Sequence, residues 1–176
     1  MITLFYISLA FFILGISAIT LKYGIPASIS ESYYLLPKTI RLFVFYVWTI
    51  AVALPFVVFW LDISKGTAQA FVFFGCIFLV GVGAAAPFKE IGQTQKIHIT
   101  CAILCALLTQ IWIFIYTPFW IFTLSLTILF FTFGLRTKGA LEDGKTSINS
   151  MTFFLELACF ISCYIAVYGY YRLQSS

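Results

Sequence analysis

The sequence predicts an all-α integral membrane protein: one bundle of six transmembrane helices with a short interfacial helix in the first loop. Three observations lead there. Of 176 residues, 62% are hydrophobic and only 9% charged, and the mean hydropathy is +1.07. Soluble domains carry roughly 25% charged residues, and a soluble fold this apolar would lack the polar surface to cover itself. The apolar residues also fall into six continuous runs, not the alternating pattern of a membrane β-barrel. In lipid every backbone polar group must be paired within its own segment, so such runs are helices.

A hydrocarbon core about 30 Å thick needs roughly 20 apolar residues per helix. The first span is expected over Ile2–Leu21, ended by Lys22 and Gly24-Ile25-Pro26. It lacks the basic flank of a signal peptide, although Gly15-Ile16-Ser17-Ala18 has the small residues of a cleavage site. The second covers Thr39–Leu61, with Pro55 as an expected kink, and stops at Asp62. The third covers Thr67–Ala86 and is closed by Pro87-Phe88-Lys89-Glu90. The fourth covers Ile97–Tyr116, and Thr117-Pro118 turns the chain tightly into the fifth, Phe119–Leu135. A polar loop from Arg136 to Gly144 precedes the sixth span, Ile148–Tyr171. Nothing is left over for a second domain.

Lys and Arg set the orientation. The first, third and fifth loops hold Lys22, Lys38, Arg41, Lys89, Lys96, Arg136, Lys138 and Lys145; the opposite side has only Lys65 and Arg172. The basic loops are therefore expected in the cytoplasm and both termini outside the cell membrane. Trp60, Trp112, Tyr116, Trp120, Tyr168, Tyr170 and Tyr171 would sit near the outer interface. The net charge of +4 is spread over short loops with no basic stripe, which excludes a nucleic-acid surface. The two halves have opposite orientation by parity, but the long first loop has no partner in the second half, which speaks against an inverted repeat.

Few polar residues enter the spans. Glu156 lies roughly 10–13 Å inside the last one, where a carboxylate costs at least about 2.5–3.5 kcal/mol. It should be protonated, paired or wet: a proton- or cation-handling group on a transport path, or a hydrogen-bonded clamp between helices. Thr152, Glu156, Cys159, Cys163, Ala166 and Tyr170 share one helical face. His98, Ala102, Cys105, Ala106 and Thr109, with Gln110 alongside, make a similar stripe on the fourth span. Polar stripes on apolar helices face other helices, so the two could bring His98 towards Glu156. His98, the only histidine, is either an acid–base group or a satisfied interfacial side chain. Cys101/Cys105 and Cys159/Cys163 are i, i+4 pairs that could present thiolates to a soft metal. Lacking C-x-x-C spacing, they read first as small packing residues. No cofactor is expected.

In the first loop, Ser28-Ile29-Ser30-Glu31 matches a capping box and predicts a short helix over about Ile29–Leu36, at the interface or tucked into the bundle. Ser28, Ser30, Glu31, Lys38 and Arg41 could bind a lipid headgroup or gate a cavity, or simply anchor the connection. Gly75, Gly81 and Ala85 make the third span small-sided, suited to close helix approach within or between chains. Nucleotide, zinc-hydrolase and nucleophile-elbow motifs are absent. The leading expectation is a channel, pore or small-solute transporter with Glu156 on its path. Short spans are expected to leave little room inside one chain, so a pore between protomers is the expected form. Membrane lipids and copies of the chain are the expected partners. The alternatives are a non-catalytic membrane regulator or effector, as in phage defence or exclusion, and a lipid-active enzyme using Glu156, His98 and the loop serines.

Overall fold

The computed structural model describes residues 2–67, 69–87, 89, 92–140, 146–147 and 149–175. Phe88, Glu90, Lys145 and Ile148, the last being the expected start of the sixth span, lie outside them. The described chain is almost wholly helical: α1 (Ile2–Tyr23), α2 (Ser32–Leu35), α3 (Arg41–Ile63), α4 (Gln69–Ala84), α5 (Gly92–Tyr116), α6 (Trp120–Arg136) and α7 (Met151–Ser175). One two-residue antiparallel pair, Gly139–Ala140 with Thr146–Ser147, lies between α6 and α7. Four helices, α1, α3, α5 and α7, are long and apolar enough to cross a membrane; α4 and α6 are apolar but shorter.

The helix ends follow local chemistry. Gly24 takes φ +83° and its N–H reaches Thr20 O at 3.0 Å, closing α1 at a conformation only glycine adopts freely. After α3, Gly66 at φ +75° donates to Leu61 O at 3.2 Å, a Schellman-type stop. Thr117 ends α5 by donating its hydroxyl to Ile113 O and accepting the Phe119 N–H. Pro55 lies inside α3, where it leaves backbone acceptors one turn earlier poorly served. In that turn neighbouring helices donate to α3: Ser8 Oγ to Val52 O at 3.3 Å and Cys76 Sγ to Ala53 O at 3.8 Å.

The C-terminal ends of α3, α5 and α7 meet. Trp60 and Trp112 stack at 5.2 Å, Tyr170 donates to Ile63 O, and Tyr171 donates to Asp62 at 2.7 Å. At the opposite end the first loop packs on the N-terminal end of α7, where Phe153 N donates to Ala27 O at 3.1 Å. The core between α1, α3, α5 and α7 is aromatic, with Phe5, Phe12 and Phe56 each packed on the Tyr164 ring, and a Ser8–Tyr164 hydrogen bond of 2.8 Å inside it. Against lipid such packing stabilises through van der Waals contact, not through the hydrophobic effect.

The small residues of α4 are used within this chain. Gly75 faces Trp60, Gly81 faces Cys101, Gly83 faces Thr49, and Ala85 is buried. The first-loop helix is shorter than expected, a single turn from Ser32, and it is not laid out on a surface. Ser30 through Tyr34 are buried against α1 and α3.

Candidate functional site

Half of the expected capping box forms. Ser28 Oγ accepts the Glu31 N–H at 2.9 Å, but the Glu31 side chain does not return to Ser28. It pairs instead with Lys89, the residue beyond α4, whose backbone N–H also donates to Tyr34 Oη at 2.7 Å. Glu31 is 6% exposed, and a buried acid takes whichever cation the tertiary fold brings nearest. Arg41 is buried with its guanidinium 4.7 Å from the Tyr33 ring centre and 5.4 Å from that of Tyr34. Lys38 is exposed. These contacts hold the segment from Ser28 to Leu36 down into the end of the bundle.

That segment supplies the partners of Glu156. The Ile29 N–H donates to one carboxylate oxygen at 2.5 Å, and Ser30 Oγ donates to the other at 3.3 Å. Glu156 is thus not bare in lipid, and among the described residues it is paired with no cation; a backbone amide and a hydroxyl from 126–127 residues away serve it.

Glu156 and Ser30 line one end of a cavity of about 240 Å³ enclosed by α3, α4, α5 and α7. The expectation that one chain has little room for a cavity is therefore corrected. Gly75, Cys76, Leu79 and Val82 of α4 form one side, and Phe45, Trp48, Phe56, Trp60 and Phe160 stand on the others. Trp60 lies at the far end, near the level of Cys163, roughly 10 Å from Glu156 by helical rise. Its Nε1 is buried and has no hydrogen-bond partner among the described residues. Ile103 and Thr152 line the cavity and are also exposed, which marks an opening between α5 and α7.

Thr109 and Thr152 of the expected polar interior line this cavity; His98 and Gln110 do not. His98 is buried against α4, with Nδ1 3.1 Å from Val82 O, so the fourth-span stripe does not bring it into the cavity beside Glu156. The Ser30–Glu156 pair consequently has no imidazole between hydroxyl and carboxylate, which a histidine-mediated hydrolase would need. Cys105, Cys159 and Cys163 line the cavity with Cys76, whereas Cys101 lies against Gly81. Among the described residues no three His, Cys, Asp or Glu side chains are placed to share a metal ion.

Sequence reasoning missed the aromatic wall and Cys76. Trp48 carried one readable hint: its Nε1 donates to Phe11 O at 3.0 Å across a gap that only Gly15 leaves open. The fold and the cavity define an all-helical membrane protein with a ligand-sized interior. No known protein family, characterised protein or solved structure matches the chain.

Proposed function

We propose that this chain is a six-span transporter of the cell membrane that binds a small solute in the cavity beside Glu156. The observation that carries the reading is a lone acid inside an apolar cavity, held by a loop segment that itself forms part of the cavity wall. A solute that engages the carboxylate competes with Ser30 for it. Binding and movement of the segment are then linked, as alternating access requires.

Chain direction supports six spans. The ends of α3, α5 and α7 lie together, and in this reading α4 and α6 each carry the chain back across. At 16 and 17 residues they reach about 24 and 26 Å, a mismatch that local thinning accommodates. The segment around α2 then lies at the cytoplasmic interface, with both termini outside. The walls come from one chain, so a pore between protomers is not needed, and self-association is a separate matter. In a cysteine-free background, a membrane-impermeant thiol reagent applied to intact cells should label Lys65→Cys and spare Lys138→Cys. The reverse pattern would invert the topology.

Transport itself is tested in proteoliposomes. Wild-type protein should move small amphipathic organic solutes down their gradients, and Glu156→Gln should lower the rate at least tenfold. Flux equal to that of empty liposomes across neutral, anionic and cationic solutes would overturn the reading.

A further inference from the structure

We infer that the cavity takes a compact lipophilic monocation, such as a tertiary or quaternary ammonium bearing an apolar substituent. This rests on the cavity being the solute site of the transport reading, and it specifies the solute. Three features select the class.

First, Glu156 is the only charged side chain lining the cavity, and no Lys, Arg or His is among the described residues there. A carboxylate offers about four acceptor positions. Ile29 and Ser30 engage both oxygens without supplying a positive charge. An anion would meet uncompensated repulsion, and a dication would remain half-neutralised in an apolar site. A single positive charge matches.

Second, five aromatic rings stand in an otherwise mostly apolar wall. Phe45, Trp48, Phe56, Trp60 and Phe160 line a space in which an organic cation is attracted to ring faces while its substituents fill apolar volume. The Trp48 indole is fixed by its bond to Phe11 O, and Trp60 by its stack on Trp112, so both rings are pre-organised. A hydrated metal ion is a poor occupant. It needs several oxygen ligands, and among the described residues no three cavity thiols are placed to share a soft ion.

Third, the opening beside Ile103 and Thr152 lies between helices α5 and α7, on the side an amphipathic solute reaches from the bilayer.

The test is equilibrium binding to the purified full chain in detergent, with benzyltrimethylammonium and its neutral carbon isostere neopentylbenzene as probes. The cation should bind saturably and at least ten times more tightly than the isostere. Glu156→Gln should weaken the cation at least tenfold and leave the isostere within about threefold. The comparison of two probes on wild-type protein holds even if a variant folds poorly. Equal binding of both probes, or no saturable binding of the cation, overturns the proposal. Cation binding without flux in proteoliposomes supports the ligand class and sinks transport; flux restricted to neutral solutes does the opposite.

Discussion

Glu156→Leu is expected to release the segment around Ile29 and Ser30 while leaving the bundle folded. Two opposing terms set this outcome. The substitution removes a carboxylate from the apolar interior, which on insertion scales relieves about 2.5–3.5 kcal/mol. It also deletes the bonds from Ile29 N–H and Ser30 Oγ, each worth about 1.5–3 kcal/mol to a charged acceptor. Globally the two largely offset, about 3–6 kcal/mol lost against about 2.5–3.5 relieved, so resistance to unfolding in detergent should fall by only about 1.5 kcal/mol. Locally they do not cancel, because only the lost bonds belong to the segment. Protection of the Ile29 amide should fall by about 3 kcal/mol, roughly a hundredfold faster exchange, while amides inside α3 stay slow. Glu156→Gln keeps an acceptor oxygen and should fall between. Hydrogen–deuterium exchange of the purified protein reads both regions at once. Unchanged exchange at Ile29 would mean that Lys89–Glu31, the Phe153–Ala27 bond and the Arg41–tyrosine contacts hold the segment unaided.

The same residue shows how far the sequence could be read. An acid in the middle of Phe153-Phe154-Leu155-Glu156-Leu157 stands out, because its desolvation cost demands an explanation. Its partner could not be read. A backbone N–H has no residue signature, and Ile29 lies 127 positions away. The helices themselves were legible from apolar run length, with one informative departure. Helix α5 begins at Gly92, five residues before the expected Ile97, and Gln93-Thr94-Gln95-Lys96 form its first turns. Hydropathy reports the thickness of lipid a helix crosses, and polar residues can continue the helix beyond it. His98 failed for a related reason: a face repeat tells which residues look inward, not which neighbour they meet. Helix α5 packs on α4 as well as on α7, and His98 faces α4. The aromatic wall was hidden by abundance. With 20% of the chain Phe, Trp or Tyr, another ring adds no contrast.

Gly134→Leu should be among the most damaging substitutions outside the cavity, at a position no sequence stripe singled out. Helices α6 and α7 approach closely there: a β-carbon on Gly134 would lie 2.8 Å from Met151 Cα and 3.2 Å from Phe154 Cβ. The first obstacle is main chain, which cannot rotate away as a side chain can. The site is also bonded, since Ser150 N donates to Gly134 O at 3.1 Å, tying the start of α7 to the end of α6. Gly75 provides the comparison: its nearest obstacle is the Trp60 ring edge at 3.3 Å, which a small tilt of the indole relieves. Overpacking a tight site costs about 1–3 kcal/mol. Gly134→Ala should lie within that range, Gly134→Leu at or above its upper end, and Gly75→Ala below about 1 kcal/mol. Denaturant titration of the purified variants in one detergent ranks them, and Gly75→Ala proving costlier than Gly134→Ala would mean that α6 can slide on α7. Because α6 forms no part of the cavity wall, any folded fraction of Gly134→Ala should bind the cation as wild type does. That separates loss of the α6–α7 seam from loss of the site at Glu156.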